Sequence, residues 1–501
     1  MPDAVLAIDQ GTTGSTALIL GRDGEVLGHT TEEFTQHYPR PGWVEHDPEE
    51  IWRVSLRVAE AALGEAALAA GELRAIGITN QRETTVLWDR ATGEPLHRAI
   101  VWQSRQTADI CQEIRDSGLE PMITEHTGLV VDPYFSASKV KWLLDRYPES
   151  RSRAEDGELV FGTIDTWILY KLTGGTVFAT EPTNASRTLL FDIRSLTWDP
   201  ELLDIFGVPE AMLPEVKPSS GIFGTTAPAG SLPGGVPVAG IAGDQQAALY
   251  GQGCWQPGMV KNTYGTGSFV VLNTGSELRR SNSGLLTTVC CDAHGRAAYA
   301  LEGSIFTTGA AIQWLRDEMG LIGSAVETEE IAARVRDTQG VYVVPAFTGL
   351  GAPYWDMDAR GAIVGLTRGS GREQIIRATL DSIAYQTRDV VDSMRREVPT
   401  EVRELRADGG AAANNPLMQF QADILGVPVV RPQLLETTAA GSAFLAGLGA
   451  GMWRDPGELE DVWREDRRFE PEMDEAERER LYRGWQSAVE RVRADRRESA
   501  R

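Results

Sequence analysis

The apolar positions of this chain fall into short runs that stop abruptly at glycine. Val5-Leu6-Ala7-Ile8 runs into Asp9-Gln10-Gly11-Thr12-Thr13-Gly14-Ser15, and Ala17-Leu18-Ile19-Leu20 follows. About half a chain later Met259-Val260 leads into Asn262-Thr263-Tyr264-Gly265-Thr266-Gly267-Ser268, and Phe269-Val270-Val271-Leu272 follows. Apolar runs on both sides of a glycine turn predict two tight hairpins tipped with Gly, Thr and Ser. Further strands are predicted at 26–30, 74–79, 84–88 and 238–242. The amphipathic run from Glu49 to Ala70 predicts a helix, with Asp47 as its cap ahead of Pro48. Asp244 to Tyr250 begins another helix, and the Pro- and Gly-rich stretch from Ala227 to Pro237 predicts a surface loop. Leu405 to Asp408 reads as a strand that enters a turn at Gly409-Gly410, followed by a helix through Met418, Phe420 and Ile424. Ala439 to Trp453 is apolar but short and rich in Gly and Ala, which predicts a packed internal helix and no membrane span. The tail from 471, with Glu477-Arg478-Glu479-Arg480 and Arg493-Ala494-Asp495-Arg496-Arg497, predicts a solvated helix.

Strands and helices alternate up to about 250, and the pattern then restarts around the second glycine turn. An α/β chain of 501 residues in two domains, 1–250 and 251–501, is the expectation. Successive amide N–H groups and hydroxyls at a glycine turn form a concave donor surface suited to phosphate oxygens. Matching turns in both halves predict duplicated domains closing on a polyphosphate from two sides. The composition is that of a soluble globular protein. A net charge of −24 argues against nucleic acid or an anionic membrane as partner. It also means that an anionic ligand needs backbone amides, a metal ion and local arginines. Asp3 and Asp9 interrupt the first apolar run, so no signal peptide is expected and a cytoplasmic location is. The four cysteines, 111, 254, 290 and 291, lack zinc or dithiol spacing and read as reduced thiols. The six histidines show no metal-ligand spacing.

No Walker A sequence is present, and the N-terminal unit lacks the dinucleotide fingerprint GxGxxG. Asp244, in Gly240-Ile241-Ala242-Gly243-Asp244-Gln245-Gln246, stands at the carboxyl end of an apolar strand, where a carboxylate faces a cleft. Helix capping is the alternative role for it. Asp9 occupies a similar strand end, with a turn carboxylate as its alternative. Two such carboxylates beside phosphate-binding turns suit Mg²⁺, which takes one or two carboxylates plus phosphates and water. Arg82-Glu83, between two apolar strands, are either satisfied locally or line a pocket. Trp102, Tyr134 and Phe269 could wall that pocket, although each taken singly reads as a core residue before a ligand-binding one.

Longer runs carry a resemblance. Tyr38 to Asp47, Gly77 to Thr85, Thr127 to Ser136, Gly240 to Leu249, Lys261 to Gly267, Val341 to Trp355 and Gly361 to Gly369 together resemble the FGGY carbohydrate kinases over nearly the whole chain. Arg82-Glu83, Trp102 and Tyr134 are similar to the subset of that family that acts on glycerol. The resemblance implies two ribonuclease-H-like domains, of the actin/Hsp70/hexokinase-like type, around a central cleft. It implies ATP-dependent phosphorylation of glycerol to sn-glycerol 3-phosphate with Mg²⁺. By position it implies glycerol binding by Arg82, Glu83, Tyr134, Asp244 and Gln245, with Trp102 and Phe269 beside the carbons. It implies nucleotide binding by Thr12, Thr13, Gly14, Thr266, Gly309, Gln313, Gly410 and Asn414. Asp244 matches the catalytic base, Asp9 and Asp244 the metal carboxylates, and a homodimer or homotetramer is the implied assembly.

Two departures stand out. Thr16 occupies a position where an arginine near the ATP phosphates is common in the family. Some members are inhibited by fructose 1,6-bisphosphate through an arginine-bearing loop; the matching stretch here has Gly235 in the arginine's place and no Lys or Arg from Ala227 to Gly243.

Overall fold

The computed structural model describes residues 3–68, 72–335 and 337–493. In the first half the chain runs through β1 (Ala4–Gln10), β2 (Gly14–Gly21), β3 (Val26–Glu33), α1 (Pro48–Glu65) and β4 (Leu73–Asn80). An insertion containing α2 (Ser136–Arg146) and α3 (Ile164–Leu172) follows, then β5 (Ser220–Thr225), β6 (Pro237–Gly243) and α4 (Asp244–Gly251). The second half contains β7 (Val260–Tyr264), β8 (Ser268–Gly275), β9 (Leu286–Cys291), β10 (Ala297–Ile305), α5 (Gly309–Asp317) and α6 (Arg372–Glu397). It continues with β11 (Leu405–Asp408), α7 (Asn415–Leu425), β12 (Val429–Pro432), α8 (Thr437–Gly449), β13 (Glu465–Phe469) and α9 (Glu475–Arg493).

The two sheets repeat one plan. The first has the order β5-β6-β4-β1-β2-β3 and the second β13-β12-β11-β7-β8-β10-β9. In each, the hairpin is antiparallel, the strand beside its first arm is parallel, and so is the next. An antiparallel strand closes that edge in both. Successive side chains of a strand point to opposite faces. Leu6 and Ile8 therefore join Val54 and Val58 of α1 and Trp167 of α3, whereas Val5 and Ala7 join Ala247 and Tyr250 of α4 and Ala443 and Phe444 of α8. Leu249 of α4 turns instead to Val271 and Ala300 of the second sheet. Helices α4 and α8 thus form the layer between the sheets, and α8 of the second half packs on the sheet of the first. Their backbones touch: a Cβ on Gly441 would overlap the carbonyl of Ala247.

The predicted hairpins are both present, with Gln10 opposite Ser15 and Tyr264 opposite Ser268. Asp47 caps α1 by accepting from the Glu49 amide at 2.9 Å. That helix stops at Glu65, short of the expected Ala70; Ala67 has φ of 53°, and residues 69–71 lie outside the described residues. The strand expected at 84–88 begins at Val86, next to a single β-bridge between Thr85 and Ile100, because Thr84 belongs to the polar turn after β4. The Ala439 region is a buried helix, and no described helix is long and apolar enough to cross a membrane. The solvated tail is corrected by the structure. Tyr482, Trp485, Ala488 and Val489 recur at helical spacing and are buried, and Tyr482 Oη and Trp485 Nε1 donate to Asp389 at 2.6 and 2.8 Å. Its charged residues form only the outer face, and the expected continuation through Ala494 and Arg497 lies outside the described residues. All four cysteines are free and buried.

Candidate active site

The strand ends β1, β4 and β6 of the first sheet deliver Asp9, the Gln81–Glu83 turn and Asp244 to one place. Arg82 is the hub. Its Nε meets Asp244 Oδ1 at 3.0 Å, and its Nη1 donates to Glu302 at 2.6 Å and to Gln246 at 3.2 Å. Its Nη2 donates to the other Glu302 oxygen at 3.3 Å. The Arg82 side chain is 2% exposed whereas that of Asp244 is 29% exposed, so the carboxylate is the member of the pair that a small molecule reaches. Asp244 is the first residue of α4 and makes no cap bond to the helix beyond accepting from the Gln245 amide at 2.7 Å. The capping alternative does not account for it.

Glu83 adopts φ of 61°, an uncommon conformation for a residue with a side chain. It is held there from several directions. Its carbonyl accepts from Ser136 Oγ at 3.0 Å and Thr85 Oγ1 at 3.1 Å, and its carboxylate accepts from Arg187 Nε at 2.6 Å. Arg187 also donates to Glu302 at 3.0 Å. Burial pushes the Glu83 carboxyl up against the pull of Arg187 and Arg82. Burial acts on Glu302 too, but Arg187 and Arg82 together hold it down at about 2. Lys139 is buried and donates to the carbonyls of Tyr134 at 2.6 Å and Phe135 at 3.0 Å, which fastens that segment beside Glu83; burial lowers its ammonium to about 7.

Trp102 and Tyr134 meet edge to face with centroids 5.5 Å apart, and Phe269 lies under the Arg82 guanidinium at 5.8 Å. Gln245 is buried, and its Oε1 accepts from Lys261 Nζ at 2.6 Å. Lys261 also donates to Thr263 Oγ1 at 2.7 Å; burial brings it down to about 8. An amide whose oxygen is committed to an ammonium presents its NH₂ as a donor.

The first hairpin tip is joined to this pocket, because Trp102 Nε1 donates to Thr12 Oγ1 at 2.9 Å. Thr13 is exposed beside it, and Gly14 closes the turn by accepting from the Gly11 amide at 2.9 Å. Asp9 is half-buried at the end of β1. Burial, and then the charges of Asp244 and Glu436, raise its pKa well above the usual carboxylate value. The second tip docks on the start of α5: the Gly309 amide donates to the Gly265 carbonyl at 3.0 Å, and the Thr308 and Ala310 amides to the Thr266 carbonyl at 2.9 and 3.0 Å. A Cβ on Gly309 would stand 2.7 Å from the Gly265 oxygen, so a larger residue would push the tip away. Gln313 lies exposed one turn along the same helix. Gly410 is exposed with open space around its Cβ position, and Asn414 caps α7 through the Leu417 amide at 3.0 Å. Among the described residues the two tips are not bonded to each other, and no cluster of three or more His, Cys, Asp or Glu suits a metal.

Sequence reasoning missed Glu302, Arg187, Lys139 and Lys261. A charge inside an apolar strand, as in Ala300-Leu301-Glu302-Gly303 and Met259-Val260-Lys261, was a usable signal. Arg187 offered none, because its partners Glu83 and Glu302 are distant in sequence, and Lys139 offered none, because it is held by backbone carbonyls rather than by side chains of a telling type.

Residues 4–251 match the N-terminal domain of the FGGY family of carbohydrate kinases, and residues 260–450 match its C-terminal domain. A glycerol kinase from Caldanaerobacter subterraneus subsp. tengcongensis is 58% identical over 493 residues, 98% of this chain and 99% of the relative. One from Bacillus licheniformis is 55% identical over 494 residues, 99% of this chain and 100% of the relative. Among solved structures, Plasmodium falciparum glycerol kinase with ADP superposes with a TM-score of 0.90 at 36% identity, covering 98% of each chain.

Proposed function

The chain belongs to the FGGY family of carbohydrate kinases, and we infer that it transfers the γ-phosphoryl group of ATP to glycerol, giving sn-glycerol 3-phosphate. The observation that carries this reading is identity of 55–58% over essentially the full chain to relatives named glycerol kinase. The pocket supports it in kind. Arg82, Glu83, Tyr134, Asp244 and Gln245 offer donors and acceptors on one side, and Trp102 and Phe269 an apolar wall, as a three-carbon polyol requires. A pocket whose polar groups are satisfied only by hydroxyls discriminates against analogues lacking them.

In this reading Asp244 holds the attacking hydroxyl and accepts its proton as the bond to phosphorus forms. Phosphoryl transfer has a loose transition state, so positioning and charge stabilisation dominate. Arg82 keeps Asp244 aimed through the contact of its Nε with Oδ1. Gln245, oriented by Lys261, donates to the polyol. Thr12, Thr13 and Gly14 at one tip and Thr266 at the other would bond phosphoryl oxygens, with Gly309, Gln313, Gly410 and Asn414 lining the nucleoside side. Asp9 and Asp244 would hold Mg²⁺ with phosphate and water completing its ligands, and the cation would offset the charges of Asp244 and Glu436 that, after burial, raise Asp9. Bound there with ATP, Mg²⁺ would neutralise charge on the phosphoryl oxygens. A cytoplasmic homodimer or homotetramer belongs to the same reading and rests on the family alone; light scattering measures the assembly.

Glycerol-dependent release of ADP by the purified protein is the test. Glycerol should exceed xylulose and gluconate by at least ~100-fold in kcat/KM, or roughly 2.7 kcal/mol. Comparable values for a pentulose would overturn the assignment.

A further inference from the structure

Arg187 is fully buried, lies outside every glycine turn, and meets four groups at once. Its Nε donates to Glu83 at 2.6 Å and its Nη2 to Glu302 at 3.0 Å. Its guanidinium carbon lies 5.5 Å from the Tyr134 ring centroid and 5.2 Å from that of Phe135. Nη1 has no hydrogen-bond acceptor. A guanidinium over aromatic faces is attracted by their quadrupoles, which compensates in part for an unmade hydrogen bond. Glu302 faces both arginines, and it comes from β10 of the second half, whereas Arg82 and Arg187 come from the first. Counting charges, Arg82 and Arg187 balance Glu83 and Glu302. The fork of an arginine serves two carboxylates in one plane, a geometry that the single ammonium of lysine cannot reproduce.

We infer that Arg187 is a positioning residue for polyol recognition: it fixes the Glu83 carboxylate and the Tyr134 ring against each other, so that together they read one hydroxyl of the substrate. This rests on the reading that Glu83 and Tyr134 bind glycerol. Its Nε and Nη2 are committed to Glu83 and Glu302, so the role assigned to Arg187 needs no contact with the substrate. It also ties the pocket to Glu302 of the opposite half, so any relative movement of the two halves is felt at Glu83.

The test compares wild type, Glu83→Gln, Arg187→Met and Arg187→Lys for thermal midpoint, KM of ATP, and kcat/KM with glycerol, 1,2-propanediol and 1,3-propanediol. Turnover of glycerol by the wild type checks the underlying reading independently. Arg187→Met exposes the cost of removing a buried charge, and Arg187→Lys keeps the charge while losing the fork. Arg187→Lys should raise the KM of glycerol at least ~10-fold and leave the KM of ATP within ~3-fold. It should lose discrimination against the same diol as Glu83→Gln. The inference is overturned if glycerol and both diols lose equally in Arg187→Lys, or if its glycerol KM is unchanged. It is overturned likewise if the Arg187 variants lose glycerol affinity only in step with thermal stability.

Discussion

The two halves place a carboxylate at corresponding points of their sheets and bond it in different ways. In the first, Asp9 on β1 stands opposite Thr79 on the parallel neighbour β4. In the second, Thr263 on β7 stands opposite Asp408 on the parallel neighbour β11. The acid and the threonine have exchanged strands. Asp408 is 1% exposed and accepts from Gln252 Nε2 at 2.7 Å and Thr437 Oγ1 at 2.6 Å, which ties the end of α4 to the start of α8. Asp9 has no side-chain donor among the described residues and faces the charges of Asp244 and Glu436 instead. One plan thus supplies two strand-end acids. Two hydrogen bonds from other elements make Asp408 part of the frame, whereas Asp9 lacks such donors among the described residues.

The largest effect expected from this contrast lies at Asp244, the acid that faces Asp9. Asp244→Asn keeps the shape and removes the base, and should lower kcat by ~10²-fold or more with glycerol KM little changed. Near-normal steady-state turnover would reduce Asp244 to a structural residue.

Asp9→Asn and Asp408→Asn should then separate the two acids. Asp9→Asn should lower activity at limiting Mg²⁺ by roughly 10–100-fold, since a cation on the phosphoryl oxygens contributes several kcal/mol. Because Asp9 is raised in the folded chain, the folded state holds its proton more tightly, and stability falls as pH rises from about 3.8 through the raised value. Above that window Asp9→Asn should raise Tm, and Mg²⁺ should raise the Tm of wild type more than that of the variant. Asp408→Asn should instead lower stability by ~1–3 kcal/mol and leave the Mg²⁺ titration unchanged. Calorimetry with and without Mg²⁺ reads both; identical behaviour of the two variants would erase the contrast.

A smaller effect is expected at Thr16, which stands directly opposite Asp9 in the hairpin and meets Thr31 Oγ1 at 2.9 Å. Thr16→Arg would place a cation beside Asp9 and should lower the KM of ATP by ~3–10-fold, within the ~1.5–3 kcal/mol of a charged hydrogen bond. An unchanged or higher KM would show that Asp9 does not need that charge.

The smallest effect concerns the β5–β6 hairpin at the outer edge of the first sheet. Its loop carries no basic residue from 227 to 243, and the Ser231 amide donates to Glu60 Oε1 at 2.5 Å, so the nearest charge is negative. A sugar bisphosphate needs arginine forks to bind an acidic surface. Titration with fructose 1,6-bisphosphate at low ionic strength should give little or no inhibition; strong saturable inhibition that disappears when this loop is altered would contradict the reading.

Much of this architecture was legible locally. Leu6 and Ile8 alternating with Val5 and Ala7 announce a strand buried on both faces, and Asp47-Pro48 announces a helix start. Arg82-Glu83 and Asp244 were visible because charges at the ends of apolar strands are costly unless they serve a site. The errors came where distant partners decide. Tyr482 and Trp485 looked solvated amid Glu-Arg runs, but they donate to Asp389, a residue more than 90 positions away.

The sequence by itself determined the two hairpins, the alternation of strands and helices, and the chemical character of each site residue, since these depend on side-chain period, turn stereochemistry and neighbours a few residues apart. Only the tertiary structure decided that α8 of the second half packs against the first sheet. Only it decided that Glu302 pairs with Arg82 and Arg187 across the two halves, and that Asp408 accepts two side-chain hydrogen bonds while Asp9 accepts none among the described residues. Burial and hydrogen bonding are properties of where distant segments meet. They, rather than residue type, separate an acid bonded into the fold from one with no side-chain donor among the described residues.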